Sequence, residues 1–598
     1  MNSDSKNTVV YRHVAGPGCG KTTQLLEFIK EEQIRGLALD DMNICSFTRV
    51  QTSDLKRRIC NIYPDGLDDN GHGTPKIDRY VKTFHGLALG ACINHYLIEP
   101  SRPNCSGTHT IILQGYDQFG KDWRPVYHRF CSESGLEYDP KIGDPLEQDG
   151  DISNNELPIG NAFFSIYNLL KARRMPLSRW AIAKNILGAE VDSSRLNTRV
   201  FESWEQFKEA YAYLEHEDYV ILATEKKALI SPKVLIIDEF QDLSPSQYAL
   251  YEVWRDSGRI ERIYIAGDPD QSIYSFRGAN PKQFIETTAE DHTGAYSGNL
   301  PVSYRCPLEI VKFSETILGR KSNMAPKCTG GSVDIVEPEG RYIEKTGDIS
   351  PTISEVYKQY GDVLILCRFK RHVKLVSHCM SNAGIPHHNL SGKLKTWVEA
   401  RSISWKKISI HEILLFIHAV ESYFNGNSVS SIDTGTLKGI LLAYPKVSEH
   451  SNHPVQKLIS GNRNRDLILI SDILMVLSEH PITRTSGIID EMKFGGREGA
   501  NIKTYLNAYV SSGNRNPPAA IRIDTIHQAK GLESKAVIIL SAFQKNRVEQ
   551  CYTDPDRFDE ERRIYFVAAT RASEHVRILT KPLLGGVVAP PLTDIIGA

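Results

Sequence analysis

The sequence predicts an α/β protein built on parallel sheets, and three stretches carry that prediction. A glycine-rich segment, Ala15-Gly16-Pro17-Gly18-Cys19-Gly20-Lys21-Thr22, follows an apolar run and precedes an amphipathic one, Thr23-Gln24-Leu25-Leu26-Glu27-Phe28-Ile29. Val234-Leu235-Ile236-Ile237 is unbroken in its apolarity and ends in Asp238-Glu239. Ile263-Tyr264-Ile265-Ala266 is a third such run, ending in Gly267-Asp268. Runs apolar at every residue suit strands buried on both faces, the condition of a parallel sheet. Open α/β sheets bind ligands beyond the carboxyl ends of their strands, where the second and third runs deliver acids.

The first segment reads as strand, phosphate loop and helix. Its glycines let the backbone N–H groups of the Ala15–Gly20 loop, Pro17 excepted, curl around a polyphosphate at the helix N-terminus. Lys21 is then placed to reach the β- and γ-phosphates and the Thr22 hydroxyl to hold Mg²⁺, with Thr23 beside them. Ala15 stands where the usual pattern has its first glycine. After the second run, Asp238 is placed to hold Mg²⁺ through water and Glu239 to orient and deprotonate an attacking water. Cys19 leaves two readings open. The helix N-terminus and Lys21 favour a reactive thiolate, whereas a small packed thiol is the alternative.

At 598 residues the chain is too long for one core, and its length suggests about four domains. Its 41% hydrophobic and 24% charged residues, with a net charge of −1, are ordinary for a globular protein. A nucleic-acid surface would therefore be a local basic stripe and not a whole-protein field. The eleven cysteines form no C-x-x-C pair, which argues against zinc and iron–sulfur sites and for reduced thiols in a cytoplasmic compartment. The polar N-terminus carries no signal peptide, and no apolar run is long enough to span a bilayer, so no membrane partner is expected.

The string from Gly267 through Asp270-Gln271-Ser272-Ile273-Tyr274-Ser275-Phe276-Arg277 to Ala279, with Asp238-Glu239-Phe240-Gln241-Asp242, closely resembles the UvrD/Rep/PcrA family of superfamily-one helicases. Ser303-Tyr304-Arg305-Cys306-Pro307 is similar to the family's fourth motif. Asp524-Thr525-Ile526-His527-Gln528-Ala529-Lys530-Gly531-Leu532-Glu533 is similar to the fifth, and Glu560 through Arg571-Ala572 to the sixth. The motifs run in family order from residue 14 to residue 572.

The resemblance implies two RecA-like parallel-sheet P-loop domains, each interrupted by a largely helical accessory insertion, clasping one ATP with Mg²⁺. It assigns γ-phosphate sensing to Gln271 and the two arginine fingers to Arg305 and Arg571. It places Tyr304 against the base and Glu533 at the ribose side. Phosphoryl transfer is mostly positioning and electrostatics, so charge from the second domain is what the first still needs. For the nucleic-acid strand it implies contacts from Phe47-Thr48-Arg49, from Thr83-Phe84-His85, from Tyr274, Phe276 and Arg277, and from Thr525 and His527. Aromatic faces stack bases without regard to sequence, at about 1–3 kcal/mol per base. Phe276 stands where relatives usually carry Trp.

Gaps between motifs give the domain plan. Residues 1–90 and 198–299 form the first RecA-like domain, interrupted by an insertion at 91–197. Residues 300–395 and 517–598 form the second, interrupted at 396–516. The first gap contains the acidic stretch 143–151 and the basic stretch Lys171-Ala172-Arg173-Arg174-Met175-Pro176-Leu177-Ser178-Arg179-Trp180, which reads as a nucleic-acid backbone contact or at least equally as a solvated helix end. Helical periodicity marks Ile410 to Ile417 and Ile468 to Leu477, and Ser511 to Pro518 reads as a hinge.

The expected activity is ATP-dependent 3′→5′ translocation on single-stranded DNA, with unwinding at single-strand/duplex junctions and other replication, repair or recombination proteins as partners. Its polarity comes from the resemblance alone. The alternative is a nucleotide-switched DNA-binding or protein-displacing subunit with little unwinding of its own. Three departures from the family bear on this choice. No adenine-reading glutamine motif precedes residue 14, and Thr23 stands where relatives often have Arg, so discrimination among nucleoside triphosphates is expected to be weak. Only Leu584-Gly585-Gly586-Val587-Val588 offers a tight turn after the sixth motif, so translocation is better supported than vigorous unwinding. No Asp…Glu-x-Lys nuclease cluster follows, and RNA remains open as a substrate.

Overall fold

The computed structural model describes residues 8–47, 49–62, 75–101, 107–113, 116–117, 124–140, 158–187, 194–291, 301–337, 349–383, 385, 387–390, 410–441, 454, 457, 466–477, 484–492, 503, 506–507, 509–510, 520–580 and 587–596. Among these, two wholly parallel six-stranded sheets dominate. The first runs Val81–Thr83, Met42–Ser46, Val234–Ile237, Arg262–Gly267, Val9–Val14, Glu290–Asp291. The second runs Ser332–Val336, Ala572–Leu579, Ser534–Leu540, Val363–Cys367, Ile521–Thr525, His388–Asn389. The chain is thus the α/β protein with two RecA-like sheets that its sequence predicts.

Apolar continuity explains the central strands. Leu235 and Ile237 point into one core with Val10, Val14 and Ile263, while Val234 and Ile236 point into the opposite one with Met42, Ile44 and Ala266. The second sheet repeats this, with Leu364 and Ile539 on one face and Ile365 and Ile538 on the other. Each buried side chain contributes about 1.5–3 kcal/mol, so a polar residue in either phase would be selected against energetically. Register then sets the site. Val14 lies opposite Gly267 and Ile237 opposite Ile265, which brings the residues following all three strands to one rim.

The insertions differ from expectation at their edges. Helix Phe84–Asn94 runs through the expected 90/91 boundary, and Ala91, Cys92 and Ile98 share the first sheet's core. Helix Thr198–Ala210 turns Phe201 and Trp204 into an aromatic cluster with Phe130, Phe163 and Phe164 of the insertion. We therefore place the first insertion nearer 99–214. The second has its own core, from Ile413 to Tyr509. There, Leu467–Leu469 is a strand paired with Ser431–Asp433 before helix Ile470–Leu477 begins, so the helical periodicity from Ile468 is only partly helix. Stretches 143–151 and 511–518 lie outside the described residues.

Val587–Val588 pairs antiparallel with Ala542–Phe543, and Leu592 is buried in the second domain's core; residues 584–586 lie outside the described residues. Every described cysteine is free. No helix among the described residues is long and apolar enough to cross a membrane.

Candidate nucleotide cleft and strand junction

Helix Lys21–Ile34 begins at Gly20, whose φ of 80° is the left-handed backbone the loop needs to turn into it. Leu25, Phe28 and Ile29 bury one face of this helix. Lys21 Nζ donates to the Ala15 and Gly16 carbonyls at 3.0 and 3.3 Å. The loop is pressed against residues from the second half of the chain. Gly16 N–H donates to the Asn323 carbonyl at 2.8 Å, and Tyr304 N–H donates to the Gly18 carbonyl at 2.9 Å. Ser303 Oγ donates to the Pro17 carbonyl at 2.8 Å. A Cβ on Gly16 would lie 2.8 Å from the Asn323 oxygen, and one on Gly18 2.7 Å from the Arg305 Cβ, so both glycines are fixed by close approach.

Asp238 and Glu239 sit at the end of Val234–Ile237, as expected. Glu239 has a φ of 56°, uncommon for a residue with a Cβ. Its Oε2 accepts from Gln241 Nε2 at 2.6 Å and lies 3.4 Å from Lys530 Nζ. Burial pushes the Asp238 carboxyl up to about 7, with Glu239 adding to it. Burial also raises Glu239, but Lys530 and Lys21 outweigh it and hold that carboxyl down to about 2.

From the opposite wall, Arg571 donates to Gln271 Oε1 at 3.1 Å, to the Leu532 carbonyl at 3.2 Å and to the Val567 carbonyl at 3.0 Å. Burial lowers its pKa to about 9, with Arg305 adding to the effect. Arg305 is held by Glu533 Oε2 at 3.0 Å and the Thr570 carbonyl at 3.1 Å. Gln271 donates to Asp268 at 2.8 Å. Lys21, Glu239, Gln271, Arg305 and Arg571 are thus gathered on facing walls of one cleft. Tyr304 stands 82% exposed at its mouth, leaving an aromatic face free for a base, and Thr23 is exposed while Thr22 is half-buried.

Cys19 is a correction to one of its readings. It is buried, Sγ donates to the Pro301 carbonyl at 3.3 Å, and burial pushes its pKa up to about 12 in spite of Lys21. It packs and is not a thiolate.

The expected strand contacts divide. Phe276 and Arg277 are half-exposed. They cluster with Phe47, Tyr274 and His527, with ring centroids 5.1 Å apart for Phe47–Tyr274 and 5.4 Å for Phe276–His527. Tyr274 and His527 are themselves buried. The Tyr274 hydroxyl donates to the His527 carbonyl at 3.3 Å, and His527 Nε2 lies 3.1 Å from the Ile273 carbonyl. Both tie the two domains together and support the exposed pair from beneath, in place of the base contact expected of them.

Phe84 is core, 1% exposed against Trp254, and is no base platform. Thr83 caps helix Phe84–Asn94 by accepting from Gly86 N–H at 3.2 Å. His85 Nε2 lies 3.2 Å from Glu217. Thr525 is fully buried as the last residue of strand Ile521–Thr525, so it too is withdrawn from the expected nucleic-acid surface. Thr48 and the Arg49 side chain lie outside the described residues.

Residues not assigned from sequence also enter the cleft. Lys530 Nζ lies 2.5 Å from Asp242 Oδ2. Arg563 Nε donates to the Ser272 carbonyl at 2.8 Å, and Arg320 pairs with Asp270 at 2.7 Å. Arg173, whose stretch left a backbone contact or a solvated helix end open, instead donates to the Ser275 carbonyl at 3.0 Å. Lys530 and Arg563 lie inside quoted motifs, but only the folded chain shows what they face.

Two parallel-sheet domains that close a phosphate loop against two arginines from the second half of the chain define a two-domain P-loop ATPase. Residues 2–292 match the UvrD/REP helicase N-terminal domain, and residues 502–580 match the UvrD-like helicase C-terminal domain. The chain belongs to the UvrD-like helicases of superfamily one, a family of ATP-hydrolysing enzymes.

It is similar to YjcD of Bacillus subtilis, 22% identical over 94% of this chain and 76% of that protein. It is 24% identical to the ATP-dependent DNA helicase srs2 of Schizosaccharomyces pombe, over 65% of this chain and 43% of that protein. With the ATP-dependent DNA helicase PcrA of Staphylococcus epidermidis it shares 22% over 56% of this chain and 53% of that protein. The chain thus spans about half the length of the latter two relatives.

Proposed function

We propose that this chain is an ATP-dependent motor that moves 3′→5′ along single-stranded DNA and opens duplex at junctions. The observation that carries the proposal is the bond between Gln271 and Arg571, 300 residues apart, which joins the γ-phosphate side of one domain to the other. A nucleotide between these walls changes how they meet, and the half-exposed Phe276–Arg277 platform lies a few residues further along the same loop. Lys21 binds the β- and γ-phosphates, Glu239 orients and deprotonates the water, and Arg305 and Arg571 stabilise the charge that develops on the γ-phosphoryl oxygens. Tyr304 stacks on the base with no polar partner proposed to read it, so selectivity among nucleoside triphosphates is weak.

Thr22 and Asp238 would hold Mg²⁺. The donor set fits, since a carboxylate raised by burial and by its acidic neighbour is relieved by a cation, and Mg²⁺ takes one or two protein oxygens alongside phosphate and water. Bound there, the ion would neutralise phosphate charge.

Stopped-flow displacement from oligonucleotides of graded length, labelled at the 5′ or the 3′ end, tests motor activity and direction together. Arrival times that lengthen with distance to the 5′ end are expected, and the opposite order overturns the polarity. The second reading, a DNA-binding or protein-displacing subunit with little unwinding, is supported by Val587–Val588 and Leu592 being tied into the second domain. Strand-stimulated hydrolysis without strand displacement selects it.

A further inference from the structure

We propose that Lys530 is a positioning residue that transmits strand occupancy to Glu239, an inference that rests on the motor reading above. The turn after strand Ile521–Thr525 is short and internally bonded. Ala529 N–H donates to the Thr525 carbonyl at 3.2 Å, and Lys530 N–H donates to the His527 carbonyl at 3.3 Å. Gly531, at φ 87°, ends it.

One end of this turn presents His527 to the aromatic platform, 5.4 Å from the Phe276 ring and 6.0 Å from the Tyr274 ring. Three residues on, Lys530 leaves the second domain and enters the first. It is 1% exposed at the side chain, 2.5 Å from Asp242 and 3.4 Å from Glu239. Its ammonium also lies 5.2 Å from the Tyr274 ring centroid.

A displacement of His527 by a base stacking on Phe276 therefore cannot leave Lys530 where it is, because the turn between them is one bonded unit. Lys530 is ion-paired with Asp242, the third acid of the Asp238–Asp242 loop, and shares Glu239 Oε2 with Gln241. Movement of the ammonium alters which way that carboxylate faces. The lysine side chain is buried between carboxylates of the first domain, so its effect is on the geometry of the base.

The test compares ATP hydrolysis with and without oligo(dT) in the full chain, for the wild type, Lys530→Met and the double variant Asp242→Asn/Lys530→Met. Strand affinity is read by anisotropy and folding by melting temperature. Lys530→Met is expected to cut strand stimulation by about tenfold, a coupling of ordinary size between two sites, with strand affinity unchanged. Because Lys530→Met leaves Asp242 buried without its cation, the double variant separates folding from coupling. It is expected to melt like the wild type and still lack stimulation. A wild-type stimulation ratio in either variant reduces Lys530 to a structural ion pair and overturns the inference. A wild-type chain that shows no strand stimulation sinks the motor reading itself.

Discussion

Arg571 offers the sharpest separation of chemistry from structure. Its guanidinium spans Gln271 Oε1 in the first domain and the Leu532 and Val567 carbonyls in the second. Removing three hydrogen bonds, two of them buried and one part-buried, at about 1 kcal/mol each predicts roughly 3 kcal/mol of lost stability for Arg571→Ala. An arginine finger is worth on the order of 10³–10⁵ in turnover, which at 1.36 kcal/mol per tenfold is about 4–7 kcal/mol of barrier.

Arg571→Lys distinguishes the two contributions. It keeps a charge but not the planar fork, so it cannot reach all three acceptors, and turnover is expected to fall on the order of 10² or more. Steady-state strand-stimulated hydrolysis gives the turnover, a fluorescent ATP analogue gives binding, and thermal melting gives stability. Turnover within about tenfold of wild type, with melting lowered in both variants, would mean that Arg571 only ties a helix end to its neighbours, and the finger assignment would fall.

Four further outcomes are expected. Glu239→Gln should abolish hydrolysis and still bind ATP; near-normal turnover refutes its role as base. Phe84→Ala should cost about 3–5 kcal/mol of stability as a core truncation without altering strand affinity, and weakened strand binding at an unchanged melting temperature would restore it as a platform. Burial lowers His372 to about 3 and His387 to about 4, so both fold neutral. Their stability contribution is complete above the unfolded pKa near 6.5 and is lost as pH falls toward the folded values. At pH 5 that amounts to about 2 kcal/mol each, and urea midpoints unchanged between pH 7.5 and pH 5 would refute it. Arg173→Ala should raise the ATP consumed per nucleotide travelled by loosening the first insertion from the Ser275–Arg277 loop, and an unchanged ratio refutes that link.

The central strands were legible because burial on both faces demands apolar residues at every position, a pattern with few other causes. The phosphate loop was legible because Gly16, Gly18 and Gly20 each answer a backbone need, two a close approach and one a turn into the helix. Exposure was not legible. Phe84, Tyr274 and Phe276 have the same capacity to stack, and only the third reaches solvent, because depth depends on what the rest of the chain packs above each ring. Insertion edges failed for a related reason. Helix Thr198–Ala210 announces an apolar face, but Phe201 and Trp204 fit either core, and contacts with Phe130 and Phe163 decide between them. Lys530 was invisible as a partner of Glu239 because nearly three hundred residues separate them in sequence.

The charges of the cleft make one further point that neither wall shows alone. Burial raises Asp238 to about 7, with the adjoining Glu239 adding to it, and burial lowers Arg571 to about 9, with Arg305 adding to it. Asp238 and Arg571 are therefore each only partly neutralised by their own domain, the first by Lys21 and the second by Glu533. A triphosphate supplies anion to the arginine wall, and a divalent ion supplies cation to the carboxylate wall, so the two arrive most favourably together. On the motor reading proposed above, hydrolysis and phosphate release would withdraw the anion first from the Arg571 side, weakening the hold of the second domain while Lys21 and the phosphate loop still held the diphosphate. The order in which charge leaves would then set which wall moves, and Gln271, bonded to Arg571 and three residues before Tyr274, is placed to convey that movement to the Phe276–Arg277 platform.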